Sequence, residues 1–256
     1  MPPILNVYSL PQLVEPREMA GGTVVVIDVL RASTTIVYAL EAGATEVIPC
    51  SELDAAREMV RRLPASEALL GGERDGLPPE GFDLGNSPEH YTADRVGGKK
   101  VVFTTTNGTR AIGRARRARR ILLGAFVNAA AVVERLLTED HIHLLCAGTR
   151  GELSRDDVLV AGMLVERLER QSGRVYQQNA QAITARETWL HAFALPQAIG
   201  GEPLEPECLA ARLRETEGGR DLVALGLQDD ILAAAQIDRF LGVPELDLDD
   251  QRIRLT

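Results

Sequence analysis

Four short stretches set carboxylates, guanidiniums and hydroxyls where a chain can do phosphate chemistry. Asp28, Arg31, Ser33 and Thr34 follow the run Val24-Val25-Val26-Ile27, and Glu73 and Arg74 follow Ala68-Leu69-Leu70. Thr105, Thr106, Asn107, Gly108, Thr109 and Arg110 follow Val101-Val102-Phe103; Gly148 and Thr149 follow Ile142–Leu145, with Asp157 a little beyond. Apolar, β-branched runs read as strands buried on both faces, and α/β proteins place ligands beyond the carboxyl ends of such strands. Guanidinium forks match phosphate or sulfonate oxygens. Interspersed carboxylates suit Mg²⁺, a hard ion that takes one or two of them together with waters and a substrate phosphate. Arg31, Arg74 and Arg110 are therefore expected to hold substrate oxygens, and Asp28 to be the main metal ligand or the nucleophile. A helix opening at Ser33–Thr35 would also turn free backbone N–H groups towards an anion. Ser33 or Thr34 as an ordinary N-cap accounts for the same residues without any ligand.

Composition narrows the partners. The chain has 256 residues, 45% hydrophobic and 25% charged, which is enough for one large α/β domain; a formal net charge of −9 argues against nucleic acid. Arginines gathered in the strand-end loops of an acidic protein point to a small polyanion. The three cysteines, Cys50, Cys146 and Cys208, are too few and too far apart for a disulfide framework and suit a reducing compartment. No apolar run is long enough to span a membrane, and the first residues lack the basic and apolar regions of a signal peptide, so a cytoplasmic protein without membrane contact is expected. Several phosphate chemistries are excluded. No G-x-x-x-x-G-K-[ST] is present, and no G-x-G-x-x-G follows a strand. Cys146 and Arg150 are too close in sequence to frame a cysteine-phosphatase loop, and His141 and His143 lack a third metal ligand.

The elements that must position these residues follow in order. Strands are expected at 4–8, 23–29, 46–49, 68–70, 101–103, 121–123 and 142–145. Helices are expected at about 33–42, from Ser51 as cap to Pro64, from about 110 to 120, at 129–137 capped by Asn128, and from Ser154 to about 171. The Gly- and Pro-rich stretch from Gly71 to Pro88 has neither period, and long loops of this kind are usually functional. The landmarks repeat: Ile36 and Ile112 are 76 residues apart, Ser51 and Asn128 are 77, Leu70 and Leu145 are 75. Near-constant spacing suggests an internal duplication of about 23–76 onto 100–152, with the polar loops facing each other. From 176 to 242 the pattern is helical (180–193, 205–217 and 228–241), broken by Gly200-Gly201 and Gly218-Gly219, and 243–246 and 253–255 read as edge strands. No linker divides the chain, so 1–256 reads as a single domain.

The motifs Asp28-Val29-Leu30-Arg31-Ala32-Ser33-Thr34-Thr35, Gly72-Glu73-Arg74 with Gly81-Phe82-Asp83-Leu84-Gly85-Asn86-Ser87-Pro88, Thr105-Thr106-Asn107-Gly108-Thr109, and Ala147-Gly148-Thr149 with Asp157 resemble the 2-phosphosulfolactate phosphatases. The similarity continues to Asp230, Asp238 and Val243-Pro244. It implies a three-layer α/β/α sandwich with a mostly parallel sheet and a duplicated core. It also implies Mg²⁺-dependent hydrolysis of 2-phospho-3-sulfolactate to sulfolactate and phosphate, a step towards coenzyme M. On that basis Asp28, Arg31 and Asp157 are the expected catalytic residues, with Asp28, Glu73 and Asp157 on the metal. Ser33, Thr34, Arg74, Asn86, Ser87, Thr105 to Arg110, Gly148 and Thr149 are the expected substrate contacts, and a homodimer is the expected assembly. Two readings from the residues themselves stay open beside it: a non-catalytic binder of an anionic metabolite, and a phosphatase of another small phosphorylated acid or sugar phosphate. Asp157 also reads as a helix-start acid favoured by the dipole, with no chemistry.

Overall fold

The computed structural model describes residues 2–194 and 204–256. Its strands are β1 (Ile4–Tyr8), β2 (Thr23–Ile27), β3 (Glu46–Cys50), β4 (Ala68–Gly72), β5 (Lys100–Thr104), β6 (Arg120–Gly124), β7 (His141–Cys146), β8 (Gln177–Gln178), β9 (Pro244–Leu246) and β10 (Ile253–Leu255). The helices are α1 (Ala32–Glu41), α2 (Leu53–Arg61), α3 (Ala93–Val96), α4 (Gly108–Arg114), α5 (Ala129–Leu136), α6 (Arg155–Ser172), α7 (Ala180–Trp189), α8 (Pro206–Leu213), α9 (Glu217–Ala224) and α10 (Gln228–Ala234).

The strands form one mostly parallel sheet in the order β4-β5-β3-β10-β9-β6-β2-β7-β1-β8. β2 explains the layering. Val25 lies opposite Leu122 and Leu144, all buried in the core under α5, α6 and α7; Val24 and Val26 point the other way, into the core under α1 and α4. A strand with apolar side chains on both faces belongs inside a sandwich, which is how the continuous β-branched run was read. A smaller core of Ile48, Leu70 and Val102 sits under α2.

Leaving aside β1 and β8, the strand order reads the same from both sides once β2 is exchanged for β5, β3 for β6, β4 for β7 and β9 for β10. Each first strand lies between the two later strands of the other half: β5 between β4 and β3, β2 between β6 and β7. The halves run in opposite directions, because β3, β10, β9 and β6 pair antiparallel in turn. The loops after β2 and β5 nevertheless meet, and a Cβ at Gly108 would lie 3.0 Å from Asp28 Oδ2. Twist of roughly 20–25° at each strand-to-strand step between β2 and β5 swings their carboxyl ends towards each other.

Several local expectations need correction. The segments read as edge strands, β9 and β10, form the antiparallel centre of the sheet. Their brevity suggested an edge, but Leu246 and Ile253 are fully packed between the halves. The helix expected to 120 ends at Arg114, and Arg120 already belongs to β6, where it pairs with Glu245 at 2.7 Å. Ser51 does not cap α2, whose N-cap is Glu52. Asn128 occupies the N-cap of α5 but its Oδ1 accepts from the Ala125 N–H instead. Gly218 and Gly219, read as a break, lie in the first turn of α9, capped by Thr216 through the Gly219 N–H. A Cβ on Gly219 would stand 1.8 Å from the Leu213 carbonyl oxygen, so close helix contact selects that glycine. The expected helix 180–193 ends at Trp189 and continues as a π turn over Leu190–Ala194; the break at Gly200-Gly201 lies outside the described residues.

Because β9 and β10 join the halves, a chain ending at residue 242 should lose its cooperative unfolding transition in a circular-dichroism melt. Retention of a cooperative transition only a few degrees lower would mean that the hairpin trims the sheet and does not join it.

Candidate active site

The carboxyl ends of β2, β4, β5 and β7 open into one cleft, closed on its far side by α9. Asp28 stands at the end of β2, 7% exposed. Its Oδ1 accepts from the Ala32 N–H at 3.3 Å, and its own N–H donates to Ser33 Oγ at 3.0 Å. The first free donor of α1 is therefore taken by Asp28, and α1 does not offer its amino end to an anion as expected. Ser33 and Thr34 are buried behind the loop, with Thr34 Oγ1 donating to the Val29 carbonyl at 2.8 Å, so both shape the Asp28 turn and neither faces the cleft. The Leu30–Arg31 peptide is cis.

Glu73 enters the cleft because β4 ends in Gly72, at φ +123°, where a Cβ would lie 1.9 Å from the Thr104 carbonyl oxygen. Only glycine lets the chain turn that tightly over β5. Glu73 Oε1 accepts from the Thr106 N–H and Oε2 from the Gly76 N–H, both at 2.8 Å, which aims the carboxylate beside Asp28. Burial, then the charges of Glu73 and Asp156, push the Asp28 carboxyl up to about 7. Thr105, Thr106 and Asn107 line the same cleft, as does Asn86, whose Oδ1 is buried with no hydrogen-bond partner among the described residues.

Arg31 also reaches the cleft, but its fork is committed to the protein. Nη1 pairs with Asp230 Oδ2 at 2.5 Å, Nη2 donates to the Gly76 carbonyl at 2.6 Å, and Ser87 Oγ bridges to Asp230 at 2.9 Å. Arg31 and Ser87, expected on substrate, are thus a buried clasp. Asp157 is also bonded to the protein. Its two oxygens accept from the Val29 and Gly148 N–H groups at 2.9 and 3.0 Å, which ties the β2 and β7 loops together behind the cleft. Burial, with Asp156 and Asp28 nearby, holds its carboxyl well above the usual range. Asp28, Glu73 and Asp157 do not converge on one point, and no three His, Cys, Asp or Glu side chains among the described residues do so. Arg74 turns away to the Ser51 carbonyl, at 2.6 Å. Arg110 is exposed in a separate depression with Pro11 and Pro16, and Thr109 Oγ1 donates to its own loop at Thr105. Gly108 packs on Asp28 and Gly148 carries the Asp157 bond, so of the β7 loop only Thr149 among the expected contacts lines the cleft.

The structure adds residues that the sequence reading left without a role. Asp75 and Gly76 follow Glu73, Arg150 follows Thr149, Gly218, Asp221 and Leu222 come from α9, and Leu225 lies just past its end. Asp230 lies behind Arg31. The adjacent glycines of α9 hid that helix; Asp75 and Arg150 had a local signal, their places in strand-end loops. Four carboxylates (Asp28, Glu73, Asp75, Asp221) face two guanidiniums (Arg31, Arg150) around the cleft.

Two consequences can be measured. The folded protein keeps a proton on Asp28 up to about pH 7, whereas its ordinary value is 3.8. The site therefore favours the fold at pH below that ordinary value, and this contribution is lost as pH rises through 7. In EDTA at pH 8, Asp28→Asn should melt at least about 2 °C above the unsubstituted protein, with the gap narrowing as pH falls below 7 and closing below the ordinary value of 3.8; an unchanged gap would show Asp28 ionised throughout. Asp230→Ala leaves Arg31 buried without a counter-charge and should cost about 3–5 kcal/mol in urea unfolding; a cost under about 1 kcal/mol would place Arg31 in solvent.

Known proteins resemble this chain over most of its length. A model of the 2-phosphosulpholactate phosphatase family matches residues 8–249. A probable 2-phosphosulfolactate phosphatase of Symbiobacterium thermophilum is 39% identical over 229 residues, 89% of this chain and 92% of that protein. One of Parasynechococcus marenigrum is 37% identical over 90% of each chain, and one of Thermotoga petrophila is 47% identical over 58% of this chain and 63% of its own. Those names denote phosphoric monoester hydrolases. With the family pattern spanning both halves of the sheet and the α9 wall, the chain belongs to the 2-phosphosulfolactate phosphatase family.

Proposed function

We propose that this protein is a Mg²⁺-dependent phosphatase that hydrolyses 2-phospho-3-sulfolactate, or a closely similar phosphorylated hydroxy acid, to the free hydroxy acid and phosphate. One observation carries the reading: the cleft sets hydroxyl, amide and guanidinium donors beside a larger number of carboxylates. Buried carboxylates would repel a phosphate ester, and a divalent cation between them removes the conflict. A non-catalytic anion binder gains nothing from those carboxylates.

The donor set suits Mg²⁺. Asp28 and Glu73 would hold it, with the unpartnered Asn86 Oδ1 as a neutral oxygen donor. When bound, the ion supplies charge neutralisation at the phosphoryl oxygens and polarises the scissile ester. The protein does the rest by position. The Ala32 N–H fixes Asp28, and the Thr106 and Gly76 N–H groups fix Glu73, so neither carboxylate needs to reorganise. Thr105 and Asn107 offer side-chain donors to phosphate oxygens from the β5 loop. The Arg31 clasp holds the β4 and β2 loops at a constant separation, a positioning task. The similar names of the relatives support phosphosulfolactate as the ester.

The test is phosphate release from a panel of phosphorylated hydroxy acids, with Mg²⁺ and with EDTA. Phosphosulfolactate should be cleaved with Mg²⁺ and not after metal removal, and Asp28→Asn, which keeps the shape of the side chain, should lower turnover by at least about 10²-fold. Full activity after exhaustive metal removal overturns the metal assignment, and a folded Asp28→Asn variant with normal turnover overturns the role of Asp28.

A further inference from the structure

The turns that follow β4 and β7 are built alike and charged oppositely. Arg74 pairs with Leu77 and Thr149 with Glu152, each through reciprocal backbone hydrogen bonds. Asp75 and Arg150 both sit at φ 53°, followed by Gly76 at 82° and Gly151 at 81°. β4 and β7 are counterparts under the exchange that makes the sheet symmetric, so one backbone device is used at two matching positions. Both central side chains line the cleft. One arm carries Asp75 beside Glu73; the other carries Arg150 beside Thr149.

Arg150 is the cleft guanidinium with hydrogen-bonding capacity left over. Arg31 commits both terminal nitrogens to Asp230, Ser87 and Gly76. Arg150 has one partner among the described residues, Asp221 Oδ2 at 2.8 Å, in a pair whose side chains are 76% and 39% exposed. So exposed a pair is weak and easily replaced. The turn beneath it is firm: Thr149 Oγ1 donates to Ser154 Oγ at 3.1 Å, and Gln12 Nε2 to the Gly151 carbonyl at 2.8 Å. A fixed turn therefore presents a mobile, planar fork at the edge of a cleft whose Asp28 side suits the phosphate and its cation.

We propose that Arg150 determines specificity: it exchanges Asp221 for the second acidic group of the substrate, a sulfonate or carboxylate, and so selects acid-bearing phosphate esters over plain phosphate monoesters. This deepens the phosphatase reading and rests on it. A sulfonate or carboxylate offers paired oxygens to the guanidinium fork, for which Asp221 competes in the free protein.

The test compares phosphosulfolactate with glycerol 2-phosphate as substrates of the full chain in Mg²⁺. Arg150→Ala should lower kcat/KM for phosphosulfolactate at least roughly ten-fold more than for glycerol 2-phosphate, mainly through KM, with Arg150→Lys recovering part. Asp221→Asn should lower KM for phosphosulfolactate by freeing the fork. Equal losses for the two esters, or a raised KM in Asp221→Asn, overturn the assignment. Calorimetric binding of sulfolactate separates this from the phosphatase reading, because it needs no turnover. Binding at least ten-fold weaker in Arg150→Ala supports the role of Arg150 even if neither ester is cleaved, and equal binding overturns it even if both are. Arg150 is on the surface, so melting temperatures near that of the unsubstituted protein should accompany these variants.

Discussion

The buried ion pair between Arg31 and Asp230 holds the cleft in its shape. It joins the loop after β2 to α10, and through Ser87 and the Gly76 carbonyl it also binds the long glycine-rich connection after β4. Three segments far apart in sequence thus share one guanidinium. Removing two charges from water is costly, and the cost is recovered only when every remaining donor finds an acceptor. Here both terminal nitrogens of Arg31 do so. A partly satisfied Arg31 would be worse than an apolar residue, so these segments close around it together.

That commitment decides how charge is distributed at the surface of the cleft. With Arg31 occupied, the groups left facing solvent are mostly carboxylates, held by backbone N–H groups that fix their direction without cancelling their charge. Behind them Asp156 and Asp157 are buried as well, and desolvation raises all three aspartates. A region this rich in desolvated carboxylates is stable only with shared protons or with a cation. Asp157 has a separate task. It spans the β2 and β7 loops with one oxygen on each, which makes the floor of the cleft a single rigid piece.

The symmetric strand order supplies the scaffold. By inserting the first strand of each half between the later strands of the other, the chain brings four strand ends, two from each half, around one cavity. The antiparallel pair β9 and β10 then seals the seam between the halves. Matched turns with the same backbone and opposite side chains give the cavity chemical direction, which a strictly symmetric site would lack.

Local features of the sequence determined the elements and the chemistry within reach. The run from Val24 to Ile27 marked a doubly buried strand, and the polar residues after β2, β4, β5 and β7 marked the ends where a site forms, because apolar periodicity and turn residues act over a few neighbours. The motifs around Asp28, Glu73 and Thr105 carried the family. What each polar side chain touches was settled only in three dimensions. Arg31 met Asp230, Asp157 met two backbone amides, Arg74 and Arg110 turned away, and Arg150 and Asp221 came to face each other across the cleft. Partners separated by tens to hundreds of residues leave no local pattern. The same holds for β9 and β10: three-residue strands look alike at an edge and at a centre, and only the closure of the two halves placed them in the middle of the sheet.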